Sequence, residues 1–288
     1  MGTAAVSLAA IFIRLAQADQ IPSLYIAAAR MVIATLVLTP ITLHQHFPLI
    51  RVLKRNDLLL ALLSGLFLAL HFATWILSLE YTSVLISVVL VSTSPLWIAI
   101  LEVIFLRVRL GRAMILGLLI GLGGSIVAGL ASSSNAVSPG KDPLLGSILA
   151  ITGAVCVAIY LVIGRKLRAQ LPLLPYIWLV YGCAALILVV AVIAAGLPLT
   201  GYAPRGYLWL AGMALLPQLI GHSSFNYALK YLPATFVGIV NQLEPALSAI
   251  AAVVIFQEIP QTLQILGSIA ILVGVMLASL AQNQKRSA

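Results

Sequence analysis

The chain has 288 residues, 62% of them hydrophobic and only 8% charged, with a mean hydropathy of +1.14. A soluble domain of this size cannot hide so much apolar surface, so the solvent is lipid, and soluble enzymes and nucleic-acid binders are excluded. The net charge of +9 does not revive a nucleic-acid role, because the basic residues fall in short loops on one side of the apolar segments.

Ten apolar segments follow one another, at roughly 3–17, 22–43, 57–79, 82–106, 110–131, 143–164, 174–195, 206–230, 233–256 and 260–281. The first begins almost at Met1 without the charged start and cleavage site of a signal peptide. At about 22 Å it is short for the ~30 Å hydrocarbon core, which implies a start further upstream or a tilted, sheltered helix. None of the connections is long enough to be a domain. Cys156 and Cys183 lie inside apolar runs without C-x-x-C spacing and read as inert thiols.

Lys and Arg set the expected orientation. With the N-terminus cytoplasmic, the inside loops hold twelve basic residues, among them Arg51, Lys54, Arg107, Arg109, Arg112, Arg165 and Lys230, whereas the outside loops hold only Lys141 and Arg205. Both termini are therefore expected in the cytoplasm, in an inner membrane crossed many times.

The chain also repeats. An offset of 150 aligns Tyr81 with Tyr231, Pro95 with Pro245, Gly117 with Gly267 and Gly124 with Gly274. Pro22 and Pro172 fit the same register, and Phe12 matches Tyr160 at 148. Five spans is an odd number, so the second copy must enter the membrane upside down. The expected architecture is an all-α integral membrane protein of ten transmembrane helices in two inverted five-helix repeats. The first repeat covers 1–131, an external linker 132–142, the second repeat 143–281, and a cytoplasmic tail 282–288. Inverted repeats place a substrate near the midplane between the halves.

The polar residues inside the spans nominate that site. Asn241-Gln242-Leu243-Glu244-Pro245 sits midway along an apolar run, where a charge is expensive without a partner or a job. Pro245 cannot donate to the Asn241 carbonyl, and Pro95 leaves the Val91 carbonyl free in the same way, so both prolines are candidate hinges. The eighth span carries Gln218, His222 and Asn226 at i, i+4 spacing, hence on one helical face. His71 and Trp75 share a face of the third span, and Ser94 and Trp97 flank the proline of the fourth. Arg30, mid-depth in the second span, is the cation for a carboxylate, whether that of Glu244 or of a substrate. Arg14 and Glu102 lie nearer span ends and are expected to snorkel to the interface. The alternative throughout is helix–helix bonding without a ligand, favoured here for the Ser and Thr residues.

No G-x-x-x-x-G-K-[ST], G-x-S-x-G, H-E-x-x-H or C-x-x-C is present, so ATP hydrolysis and the common hydrolase and metal signatures are missing. No cofactor or resident metal is expected.

In their order and spacing these residues resemble the drug/metabolite transporter superfamily, in particular EamA-type permeases. The resemblance rests on Leu243-Glu244-Pro245-Ala246 through Gln257-Glu258, on Arg30 early in the second span, and on the run from Ala154 to Arg165 in the sixth. In the first repeat the helix-ending Glu is replaced by Val108. The resemblance implies a secondary transporter that exports or exchanges small metabolites by alternating access, with proton or counter-substrate coupling. With only Arg30 as a cavity cation, a zwitterion such as an amino acid is favoured over a phosphorylated substrate. Glu244 and Arg30 would meet substrate charge or carry a proton. His71, His222, Asn226 and Asn241 would supply hydrogen bonds, while Trp75, Trp97 and Tyr160 would form apolar walls. The competing readings are an intramembrane enzyme using His71 or His222 as base, and a passive channel. Oligomeric state is not legible.

Overall fold

A lipid-embedded chain must satisfy its backbone within each segment, so long helices are the expected elements. A computed structural model describes residues 1–82, 87, 90–132, 142–244, 246, 247, 250, 251 and 261–287, and they are helical throughout apart from short turns. The helices are α1 (Gly2–Ser7), α2 (Ala9–Ala18), α3 (Ser23–Arg51), α4 (Arg55–Tyr81), α5 (Ser94–Leu106) and α6 (Arg112–Ser132) in the first half. The second half holds α7 (Pro143–Arg168), α8 (Leu173–Ala194), α9 (Pro204–Met213), a π-helical stretch (Ala214–His222), α10 (Ser223–Ala228), α11 (Ala234–Asn241) and α12 (Thr262–Ser287).

Among the described residues, five helices are long and apolar enough to cross a membrane: Ser23–Arg51, Arg55–Ser78, Pro143–Arg168, Leu173–Ala194 and Thr262–Asn283. Leu36, Leu186 and Met276 are large apolar side chains left exposed on these helices, as a lipid solvent allows.

Several helices outrun the segments expected from hydropathy. α3 continues to Arg51 through Pro40 and Pro48, and α12 continues to Ser287 through the stretch expected to be a tail. Hydropathy falls where polar residues begin, but backbone bonding does not stop there. The first segment is divided by a turn at Leu8.

α6 and α12, one from each half, pack antiparallel. A Cβ built on Gly117 would lie 2.6 Å from the Gly274 carbonyl oxygen, and one on Gly124 would lie 2.6 Å from that of Gly267. Gly117 and Gly267 are repeat mates, as are Gly124 and Gly274, so this crossing maps onto itself when the halves are exchanged. That is the mark of a pseudo-two-fold axis, with small residues letting the backbones touch. The glycines at 117 and 124 thus serve packing within the chain. α3 and α8 cross antiparallel too: Trp178 Nε1 donates to Thr39 Oγ1 at 2.9 Å, and Gly182 faces Thr35.

The loop after α2 is tied to α9. Arg205 donates to both Asp19 oxygens (2.6 and 3.3 Å), and Trp209 Nε1 donates to Oδ2 at 3.0 Å. The Arg205 hydrogen bond holds the Asp19 carboxyl below its ordinary value, against an opposing effect of burial.

Both contacts can be tested by substitution. Gly124→Val forces a side chain into the Gly267 backbone and should destabilise the detergent-solubilised protein by about 1–3 kcal/mol, read from its unfolding curve. Because the folded Asp19 value lies below the unfolded one of about 3.9, its link stabilises above that pH and is lost as pH falls through the folded value. Asp19→Asn should therefore lower Tm at neutral pH and converge on wild type as the pH drops well below about 4.

Candidate functional site

Two helical runs are broken at matching positions of the repeats. In the fourth segment the turn falls at Ser92-Thr93, where the Thr93 N–H bonds the Leu90 carbonyl and Leu96 N–H the Thr93 carbonyl. Pro95 then stands in the first turn of α5, where its missing N–H is harmless. In the ninth the break falls at Gln242, the mate of Ser92, between α11 and helical Leu243-Glu244. Pro95 therefore starts a helix instead of kinking a continuous one. Pro245 lies outside the described residues.

The breaks open onto a cavity of about 200 Å³. Of the residues nominated from sequence, Arg30, His71, Trp75, Ser94, Tyr160, His222, Asn241 and Glu244 line it. These residues come from the second, third, fourth, sixth, eighth and ninth segments. Val6 and Ala9 of the first, and Val157 and Leu161 of the sixth, contribute as well.

Arg30 is 1% exposed; its Nη2 donates to Gln218 Oε1 at 2.7 Å, and its guanidinium carbon lies 4.2 Å from the Phe72 ring centroid. The amide and the aromatic face replace part of its lost hydration. At the ninth-segment break, Asn241 Nδ2 donates to Glu244 Oε2 at 3.3 Å. Among the described residues no ion pair joins Arg30 to Glu244. A guanidinium and a carboxyl group thus share one cavity, each with a neutral partner.

Imidazoles and rings fill the wall between them. His71 Nδ1 donates to the Gly153 carbonyl at 2.8 Å, and its ring stacks on Trp75 at 5.9 Å. His222 lies edge-on to Phe72 and to Phe225. Several buried polar atoms of the lining residues have no partner among the described residues: Arg30 Nε, Trp75 Nε1, His222 Nδ1, Asn241 Oδ1, and both Oε1 and Nε2 of Gln242. Buried polar atoms are rarely left this way, since each costs about 1–3 kcal/mol unless a ligand or water meets it.

Three nominated residues lie outside the lining. Gln218 acts on the cavity through Arg30. Trp97 turns its Nε1 to Thr93 Oγ1 at 3.1 Å. Asn226 is fully buried in a knot, its Nδ2 donating to Tyr160 Oη (2.5 Å), the His222 carbonyl (2.9 Å) and Tyr181 Oη (3.3 Å). Gln218 and His222 stand on the wider turns of a π-helical stretch that contains Pro217, and of Gln218, His222 and Asn226 only His222 lines the cavity.

Glu102 corrects its expected snorkelling outright. It is 0% exposed, and its carboxylate accepts from the Ala234 and Thr235 N–H groups and from Thr235 Oγ1. Phe72 and Gln242 are site residues not nominated from sequence. Gln242 was visible in the Asn-Gln-Leu-Glu-Pro run, whereas nothing in Phe72 itself distinguishes it from core.

Known proteins share both the duplication and the fold. The model of the EamA-like transporter family matches residues 1–130 and again 144–280. The chain belongs to that family. It is therefore a multi-pass membrane protein of the drug/metabolite transporter superfamily, built of two EamA repeats, and its role is to transport small molecules. A curated relative from Bacillus subtilis (strain 168), described as "Uncharacterized transporter YyaM", is 26% identical over 213 residues, covering 72% of this chain and 68% of its own. A solved crystal structure shares the fold with a TM-score of 0.81 at 19% identity, covering 98% of this chain and 96% of its own.

The Asn226 knot makes a prediction independent of any ligand. Asn226→Leu leaves the Tyr160 and Tyr181 hydroxyls short of a partner and should destabilise the protein by about 1–3 kcal/mol in thermal unfolding.

Proposed function

We propose that this transporter moves a small zwitterion, an amino acid or a close derivative, by alternating access, as an exporter or exchanger. Its ten spans would form two inverted repeats, with both termini in the cytoplasm. The observation that carries this is a guanidinium and a carboxyl group lining one cavity without pairing to each other. A substrate carboxylate would take the unpartnered Nε of Arg30, and its ammonium would take Glu244 and the Oδ1 of Asn241. The ring wall of Trp75, Phe72 and Tyr160 would hold an apolar side chain. Ser94, His71 and His222 would orient the ligand from the sides. Gln218 and Asn226 would keep Arg30 and Tyr160 in place, and Trp97 would brace the turn before Pro95.

Among the described residues Arg30 is the only Lys or Arg lining the cavity, which favours a single carboxylate over a phosphate-bearing substrate. Coupling to protons or to a counter-substrate belongs to the same proposal, with Glu244 the group that would carry a proton. Motion about the paired breaks at Ser92 and Gln242 would let α5 and α11 rock.

A thermal-shift screen of amino acids and related metabolites tests the site. A zwitterion should raise the Tm of wild type and leave that of Glu244→Gln unmoved, while Arg30→Lys should weaken its binding about tenfold or more. Equal stabilisation of all three proteins would rule out this placement. Counterflow in liposomes should show trans-stimulation, which a passive channel does not produce.

A further inference from the structure

The two halves repeat, but one buried carboxylate has no counterpart. Glu102 lies on α5 one turn beyond Ile98, a cavity residue, and is fully buried. Its Oε1 accepts from Ala234 N–H at 2.8 Å, and its Oε2 from Thr235 N–H at 2.9 Å and from the Thr235 hydroxyl at 2.7 Å. Those are the first two amides of α11, whose own N-cap residue is Pro233 and supplies no side-chain bond. The orphan donors of this helix are therefore satisfied from the other half of the protein, 132 residues earlier in the chain.

The contact lies between the cavity and a second recess. Val237 and Gly238, less than a turn further along α11, line the cavity; Pro233, on the far side of the contact, lines a separate recess with Arg109 and Arg112. The carboxylate thus stands between the central cavity and the arginine-bearing face. At the repeat offset the sequence mate of Glu102 is Ala252, whose methyl can accept no hydrogen bond.

We infer that Glu102 is a positioning residue for transport: a latch that closes the cavity toward the arginine-bearing face by capping α11, and that must release once in each cycle. This rests on the alternating-access reading above. In such a carrier the two mouths open in turn. Closing this one makes three bonds to an ionised acceptor, whereas the sequence repeat supplies only an alanine for the equivalent role. The two repeat positions are chemically unequal, and the latch holds the cavity closed toward the arginine side.

The test uses the full chain without substrate, so its outcome does not depend on the zwitterion assignment. In a Cys156→Ser, Cys183→Ser background, Val237→Cys is labelled with a membrane-impermeant maleimide from the side bearing Arg109 and Arg112. Glu102→Gln should raise the labelling rate about tenfold or more, since the charge of the acceptor is lost. Thr235→Val, which removes one of the three bonds, should raise it by a smaller factor, and Glu102→Asp should label more slowly than Glu102→Gln. Labelling no faster than in the parent, in folded Glu102→Gln or in Thr235→Val, overturns the latch. Should the glutamine variant fail to fold, the Thr235→Val comparison decides alone. A ligand that shifts the Tm of wild type while these rates stay equal would leave the transport site standing and remove only the latch.

Discussion

An ionisable side chain inside a lipid-spanning bundle has no bulk water to fall back on, and the layout of the cavity follows from how Arg30, Glu102 and Glu244 are accommodated. Arg30 rests on an amide and an aromatic face. Glu102 takes the free amides of a helix start. Glu244 has only the weakly placed Asn241 amide and the cavity. Two of the three are held mainly by the protein. The third lines the cavity with that one amide as its hydrogen-bond partner among the described residues.

Among the described residues the two halves match at particular backbone positions and differ at others. Glycines at matching positions let α6 and α12 touch across a pseudo-two-fold axis, and the helix breaks at Ser92 and Gln242 are repeat mates. Under the alternating-access proposal, two such related halves would supply two arrangements, one open to each side. Decoration then makes the two unequal. The exchange of Glu102 for Ala252 in the repeated sequence is one case. The π-helical stretch with Pro217 in the eighth segment, against the regular α4 in the third, is another.

Much of the frame was legible before any coordinates. Hydropathy located the segments to within a few residues at most ends, and missed chiefly where helices such as α3 and α12 run on past the apolar stretch. The repeat offset of 150 was readable from prolines and glycines because those residues mark backbone events, breaks and close crossings, that do not depend on what lies opposite. Eight of the eleven nominated ligand-site residues line the cavity, since polar side chains in lipid-spanning segments have few other places to go.

The sequence by itself determined the helical class, the segment order, the duplication and the inventory of groups too costly to face lipid. All of these follow from local composition and periodicity. Only the tertiary structure decided which of those groups meet one another. Arg30 finds Gln218 across 188 residues, Glu102 finds the start of α11 across 132, and Asn226 turns to two tyrosines rather than to the cavity. Hydrogen bonds act over about 3 Å between helices whose neighbours are chosen by packing, so no spacing along the chain could have announced them.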